Sequence, residues 1–177
     1  MPSCSISRMA DGPVNDAPYR LIDDVEFGDN VVVYPFTNLY GCKIGDNTRI
    51  GPYVEIQRGA VIGANCKIQS HTFICDCVTI EDQVFIGHSV MFINDNHPRP
   101  TTDDGSLSEE GDWDLLNTTI GRCGAIGSGA VILGGVTVGS YAMIGAGAVV
   151  TRNVDQGTTV GGAPARVLAS RAARRPS

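Results

Sequence analysis

The chain has 177 residues, of which 42% are hydrophobic and 18% charged, enough for one ordinary domain and the composition of a globular rather than a disordered protein. Twenty-two glycines with few aromatics exclude a helical bundle and point to many turns around a core of small and β-branched side chains. A formal net charge of −6 excludes nucleic acid as the main partner, because phosphate backbones are bound by clustered Lys and Arg.

No run of about 18 apolar residues is present, so no helical membrane span is expected. The N-terminus lacks a basic segment followed by an apolar stretch, and the expected location is cytoplasmic. The six cysteines, Cys4, Cys42, Cys66, Cys75, Cys77 and Cys123, form neither a disulfide framework nor a zinc set of usual spacing. Reduced thiols and no bound metal are expected.

Residues 1–24 carry no pattern and are expected to be a flexible or capping segment. From Phe27 an aliphatic or aromatic residue falls every sixth position, through Val33 and Leu39, and a five-residue step joins this run to Ile44. The hexads then continue through Ile50, Ile56, Ile62, Ile68, Ile74, Ile80 and Ile86 to Phe92. The residue two places earlier is small or β-branched, as at Thr48, Val54, Ala60, Cys66 and Thr72. The same grammar returns in another phase at Ile120, Ile126, Ile132, Val138, Ile144 and Val150.

A period of six fits neither a helix, which needs about 3.6, nor a single strand, which needs 2. It suits a short strand plus a turn, so three hexads make one triangular coil of about 18 residues, stacked at the strand spacing of about 4.8 Å. Residues 25–162 are thus expected to form one prism. Two stretches break the register. Residues 93–119 form a long loop of the sort that is often functional, and Gly161, Gly162 and Pro164 end the repeat. The Ala/Arg-rich tail 163–177 favours a short helix.

The hexads, with IGSGAVI, IGAGAVVTR and GGAPARV, resemble the hexapeptide-repeat acyltransferases, whose fold is an all-β, left-handed parallel β-helix. That resemblance implies an acetyl-CoA co-substrate, with Ser128 and Ala146 along its pantetheine arm and Thr151, Arg152 and Arg166 as further coenzyme A contacts. Small corner residues have a physical sense here, since they let a thin arm lie against the backbone. It also implies homotrimers with active sites between adjacent prisms. The loop 93–119 would then cover a neighbour, anchored by Trp113 and the Leu115–Leu116 pair.

The segment GHSVMFINDNHPRP is similar to enzymes that acylate the 3-amino group of nucleotide-linked sugars for surface polysaccharides. It implies a nucleoside-diphosphate amino sugar as acceptor, with a UDP-linked 2-acetamido-3-amino uronic acid favoured over a dTDP-3-amino-3,6-dideoxyhexose. Asn94 would lie beside the amine. An amide does not titrate, so Asn94 could hold the amine but not take its proton. His97, directly before Pro98, matches the His-Pro pair of sugar O-acetyltransferases and would supply a base for a hydroxyl acceptor. The choice between Asn94 and His97 stays open at this level.

Stacking by coils of 18 places Arg58, Asp76 and Asn94 in one column, and puts His71 and His88 at neighbouring places on one corner. His71, Asp76, His88 and Asp95 are therefore the candidate acceptor-binding residues. The competing structural readings are a corner ion pair for Arg58 and Asp76, and exposed loop positions for the histidines.

Overall fold

The computed structural model describes residues 19–109 and 111–170. They form a left-handed parallel β-helix of about eight turns. Its three faces are sheets of seven, six and eight strands among the described residues. The first face runs from Arg20–Asp23 through Thr37–Tyr40, Glu55–Ile56, Phe73–Ile74 and Met91–Phe92 to Val131–Ile132 and Val149–Val150. The second runs from Glu26–Phe27 to Thr137–Val138, and the third from Val32–Val33 to Met143–Ile144 and the two final strands. Among the described residues the prism begins at Arg20, inside the segment expected to be flexible or capping, because that strand pairs in register with Thr37–Tyr40.

Each hexad sends one aliphatic or aromatic side chain inward; Ile56, Ile74 and Phe92 on the first face and Ile50 and Ile86 on the third are fully buried. Burying one such side chain is worth about 1.5–3 kcal/mol, and this stack is the main source of cohesion. The small residue of each hexad closes the coil beneath. Where it is Thr, its hydroxyl is satisfied inside the wall: Thr48 Oγ1 donates to the Gly63 carbonyl (2.8 Å) and accepts the Cys66 N–H (3.0 Å). Thr72 Oγ1 donates to the Gly87 carbonyl at 3.0 Å. Glycine follows the aliphatic where two corners nearly touch; a Cβ on Gly87 would sit 2.5 Å from the Ser128 nitrogen.

The end of the chain differs from expectation. Arg166–Ser170 is a strand, antiparallel to Thr158–Gly161, and not the start of a helix. The helix propensity of Ala and Arg is worth only tenths of a kcal/mol per residue, and pairing an otherwise open sheet edge outweighs it. The rest of the tail, 171–177, and residues 1–18 lie outside the described residues.

Candidate active site

The corner between the third and first faces carries most of the candidate chemistry. Register stacks Pro35, Pro52, Ser70, His88, Ser128 and Ala146 in one column along it. The adjoining column is Tyr19, Phe36, Tyr53, His71, Ser89, Gly129 and Gly147, and every one of these has a left-handed φ between 55° and 72°. His88 is exposed at the centre of this corner. Its Nδ1 lies 2.9 Å from Ser70 Oγ, and its backbone N–H donates to Ser128 Oγ at 3.1 Å. The Ser70 contact fixes one ring nitrogen and leaves Nε2 turned to other partners. His71, one position on, stacks instead on Tyr53 with ring centroids 4.8 Å apart.

Above His88 the corner is stripped to Ser128, Gly129, Ala146 and Gly147, all exposed. This is a bare backbone track. Below His88 the same corner carries stacked rings: Tyr19 on Phe36 at 5.2 Å, Phe36 on Tyr53 at 5.0 Å, and Tyr53 on His71. Their spacing of 17–18 residues was a readable signal that a search for aliphatic hexads passes over.

The opposite corner of the first face holds the other set. Arg58, Asp76 and Asn94 do share a column there, and Gly134 and Arg152 continue it. Arg58 pairs with Asp24 at 3.5 Å, two coils below. Burial, then the carboxylates of Glu55 and Asp76, push the Tyr40 phenol up, while Arg58 opposes them. His88 and Asn94 lie on one coil with the strand Met91–Phe92 between them, about 15–20 Å of chain apart. One prism does not bring the two together.

The loop after Ile93 is tied to the next coil up by a contact the sequence does not announce. Asn96 Oδ1 accepts the Gly134 N–H at 2.9 Å while its Nδ2 donates to the Gly134 carbonyl at 3.0 Å. Leu116 rests on Gly134 and Gly135 from the far end of the loop. Of the three residues expected to anchor a neighbour, Leu116 packs on its own prism, Leu115 is 42% exposed and Trp113 is half-buried. Asp95 Oδ1 accepts the His97 N–H at 2.8 Å, a local turn that presents His97 to solvent. Thr151 and Arg152 are exposed on the Asn94 corner, and Arg166 Nη1 donates to the Ala165 carbonyl at 2.9 Å. The candidate coenzyme A contacts are therefore divided between two corners. Among the described residues no three His, Cys, Asp or Glu side chains converge to hold a metal ion.

Comparison with known proteins gives the same family twice. Residues 24–58 and 41–76 match the model described as bacterial transferase hexapeptide (six repeats), and 117–152 match the hexapeptide repeat of succinyl-transferase. The bifunctional protein GlmU of Picosynechococcus sp. is 30% identical over 118 residues, 64% of this chain and 26% of that protein. The chain spans about a quarter of the length of the GlmU proteins it matches. Among solved structures, the hexapeptide-repeat acetyltransferase VCA0836 of Vibrio cholerae, complexed with acetyl-CoA, is 28% identical with a TM-score of 0.61, over 73% of this chain and 70% of that one. A variant of AntD, an N-acyltransferase from Bacillus cereus in complex with dTDP and coenzyme A, shares the fold with a TM-score of 0.72 at 18% identity, over 82% and 83% of the two chains.

Proposed function

Since the chain belongs to the hexapeptide-repeat acyltransferases, we propose that it moves an acetyl group from acetyl-CoA to the 3-amino group of a nucleoside-diphosphate sugar. The observation that carries this reading is His88 at the foot of the bare track Ser128, Gly129, Ala146 and Gly147. A thioester arm laid along that track ends beside an imidazole. VCA0836, which is complexed with acetyl-CoA, supports the donor, and AntD, which holds dTDP with coenzyme A, supports a nucleotide-bearing acceptor.

The neutral amine attacks the thioester carbonyl, the new C–N bond forms, and the C–S bond breaks as the tetrahedral intermediate collapses. In the tautomer that donates Nδ1–H to Ser70 Oγ, 2.9 Å away, His88 Nε2 has its lone pair free to accept the amine's proton, which passes to the departing thiolate. Holding amine and carbonyl in contact supplies several kcal/mol of the acceleration. Asn94 lies on the far corner of the coil, so it holds this amine only across the interface of an adjacent copy, as in a trimer. Thr151, Arg152 and Arg166 serve the coenzyme's phosphates, with Thr151 and Arg152 acting across the same interface. Asp76 and Asp95 flank the acceptor with Asn94, and His71 lies beside it at the His88 corner. A UDP-linked 2-acetamido-3-amino uronic acid is favoured over a dTDP-linked 3-amino-3,6-dideoxyhexose, and surface polysaccharide synthesis is the setting.

A panel of acceptors offered with acetyl-CoA, followed by release of free thiol, tests this. Release with a nucleotide-linked 3-amino sugar and none with simple sugars is expected. Acetylation of a sugar hydroxyl that disappears in His97→Ala would replace the amine by an oxygen acceptor and His88 by His97.

A further inference from the structure

The third face holds a cleft of about 370 Å³ below His88, lined by Tyr34, Arg49, Gly51, Pro52, Lys67 and Gln69. Arg49 and Lys67 are direct register partners on successive coils, so two exposed cations stand one strand spacing apart. Neither has an ion-pair partner among the described residues, although the chain carries a net charge of −6 and Lys43 and Arg58 each pair with a carboxylate. The acids on the preceding corner are engaged: Asp46 Oδ1 accepts the Asp29 N–H at 2.7 Å, and Asp82 Oδ1 accepts the Ala64 N–H at 2.9 Å. The outward column beyond them, Phe85, Ala125 and Met143, is apolar. Two like charges left facing each other are a cost that a bridging dianion removes.

The cleft is graded along the prism axis. Tyr34, 40% exposed, stands at its lower end; Arg49 lies one coil higher and Lys67 two. Gln69 leads into Ser70, which meets His88 a third coil up. From Tyr34 to His88 is thus three strand spacings, about 14 Å. That span fits a flat ring, a diphosphate and a hexose laid end to end.

We propose that this cleft is the acceptor's carrier site: Arg49 and Lys67 bind the diphosphate, the base stacks on Tyr34, and the sugar reaches His88. The assignment rests on the acceptor reading above and specifies where its nucleotide lies. The diphosphate of coenzyme A has the same chemistry, and the test separates the two sources.

Calorimetric titration of UDP, dTDP, inorganic pyrophosphate and coenzyme A into the full chain, as wild type, Arg49→Gln/Lys67→Gln and Tyr34→Ala, makes that distinction. The double variant should weaken both nucleotides and pyrophosphate by roughly tenfold or more per lost cation, with coenzyme A affinity and the melting temperature unchanged. Tyr34→Ala should weaken UDP and dTDP but not pyrophosphate. Lys67→Gln alone, at an exposed position, should give the smaller loss if the double variant folds poorly. Unchanged nucleotide binding in the charge variants, loss of coenzyme A binding in its place, or no nucleotide binding by the wild type would each overturn the assignment. A protein that binds UDP through Arg49 and Lys67 yet acetylates no amino sugar keeps this site and refutes the acceptor reading instead.

Discussion

The lower and upper halves of one corner have the same backbone and opposite surfaces. Both are built from residues with left-handed φ, where Gly and Asn are at ease and a bulky side chain costs about 1–2 kcal/mol. The upper half uses Gly129 and Gly147 and exposes bare peptide; the lower half places Tyr19, Phe36, Tyr53 and His71 there. Stacking of such rings is worth about 0.5–1.5 kcal/mol per pair, which offsets the strain without exceeding it. Stability alone therefore does not select the rings over glycine. The difference is one of surface: a thin arm can lie on the upper half, and a ring-bearing, charged ligand fits beside the lower.

Removing the group at the junction should have the largest effect. His88→Ala is expected to lower kcat by 10²–10⁴-fold while coenzyme A affinity stays within about threefold, as steady-state kinetics and calorimetry would report. Making the upper half resemble the lower comes next. Gly129→Tyr places a ring in open space on the track, so coenzyme A binding should fall about 100-fold for a stability loss of about 1–2 kcal/mol. A Gly129→Tyr protein that binds coenzyme A normally would remove the track from the account.

The interiors of the two halves differ as well. Burial pushes the Cys42 thiol up to about 11 and the Cys75 thiol up to about 12, and raises that of Cys66; all three lie in the lower coils. These folded values exceed the unfolded one near 9, so the folded state holds its protons more tightly. Their contribution is full below pH 9 and is lost as pH rises toward 11 and 12. Urea midpoints should fall across that range, and hydrogen exchange should show the lower coils opening first. The smallest effect is expected for Tyr53→Asn, where lost stacking and relieved strain nearly cancel and the melting temperature moves by only a few degrees.

The prism itself was legible because its signal is redundant. Every inward position from Val33 to Val150 named by the six-residue period is buried, and one wrong residue could not have hidden the repeat. The column of Arg58, Asp76 and Asn94 followed from the same arithmetic. What escaped depends on particular contacts. The two bonds from Asn96 to Gly134 span 38 residues across an irregular loop, with no period to reveal them. The packing of Leu116 on Gly134 likewise exists only once the loop is folded. The final strand was misread as helical because local propensity was weighed without the open edge of Thr158–Gly161. Arg49 and Lys67 were visible as residues, but their isolation from carboxylates is a property of the assembled face.

On the proposed assignments, one corner serves two ligands at once, one on each side of His88. Titrating UDP into protein saturated with coenzyme A tests it most directly. One UDP site per chain is expected, with an affinity within about threefold of that of the coenzyme-free protein. Displacement of coenzyme A by UDP, or a UDP site that vanishes when coenzyme A is bound, would contradict it.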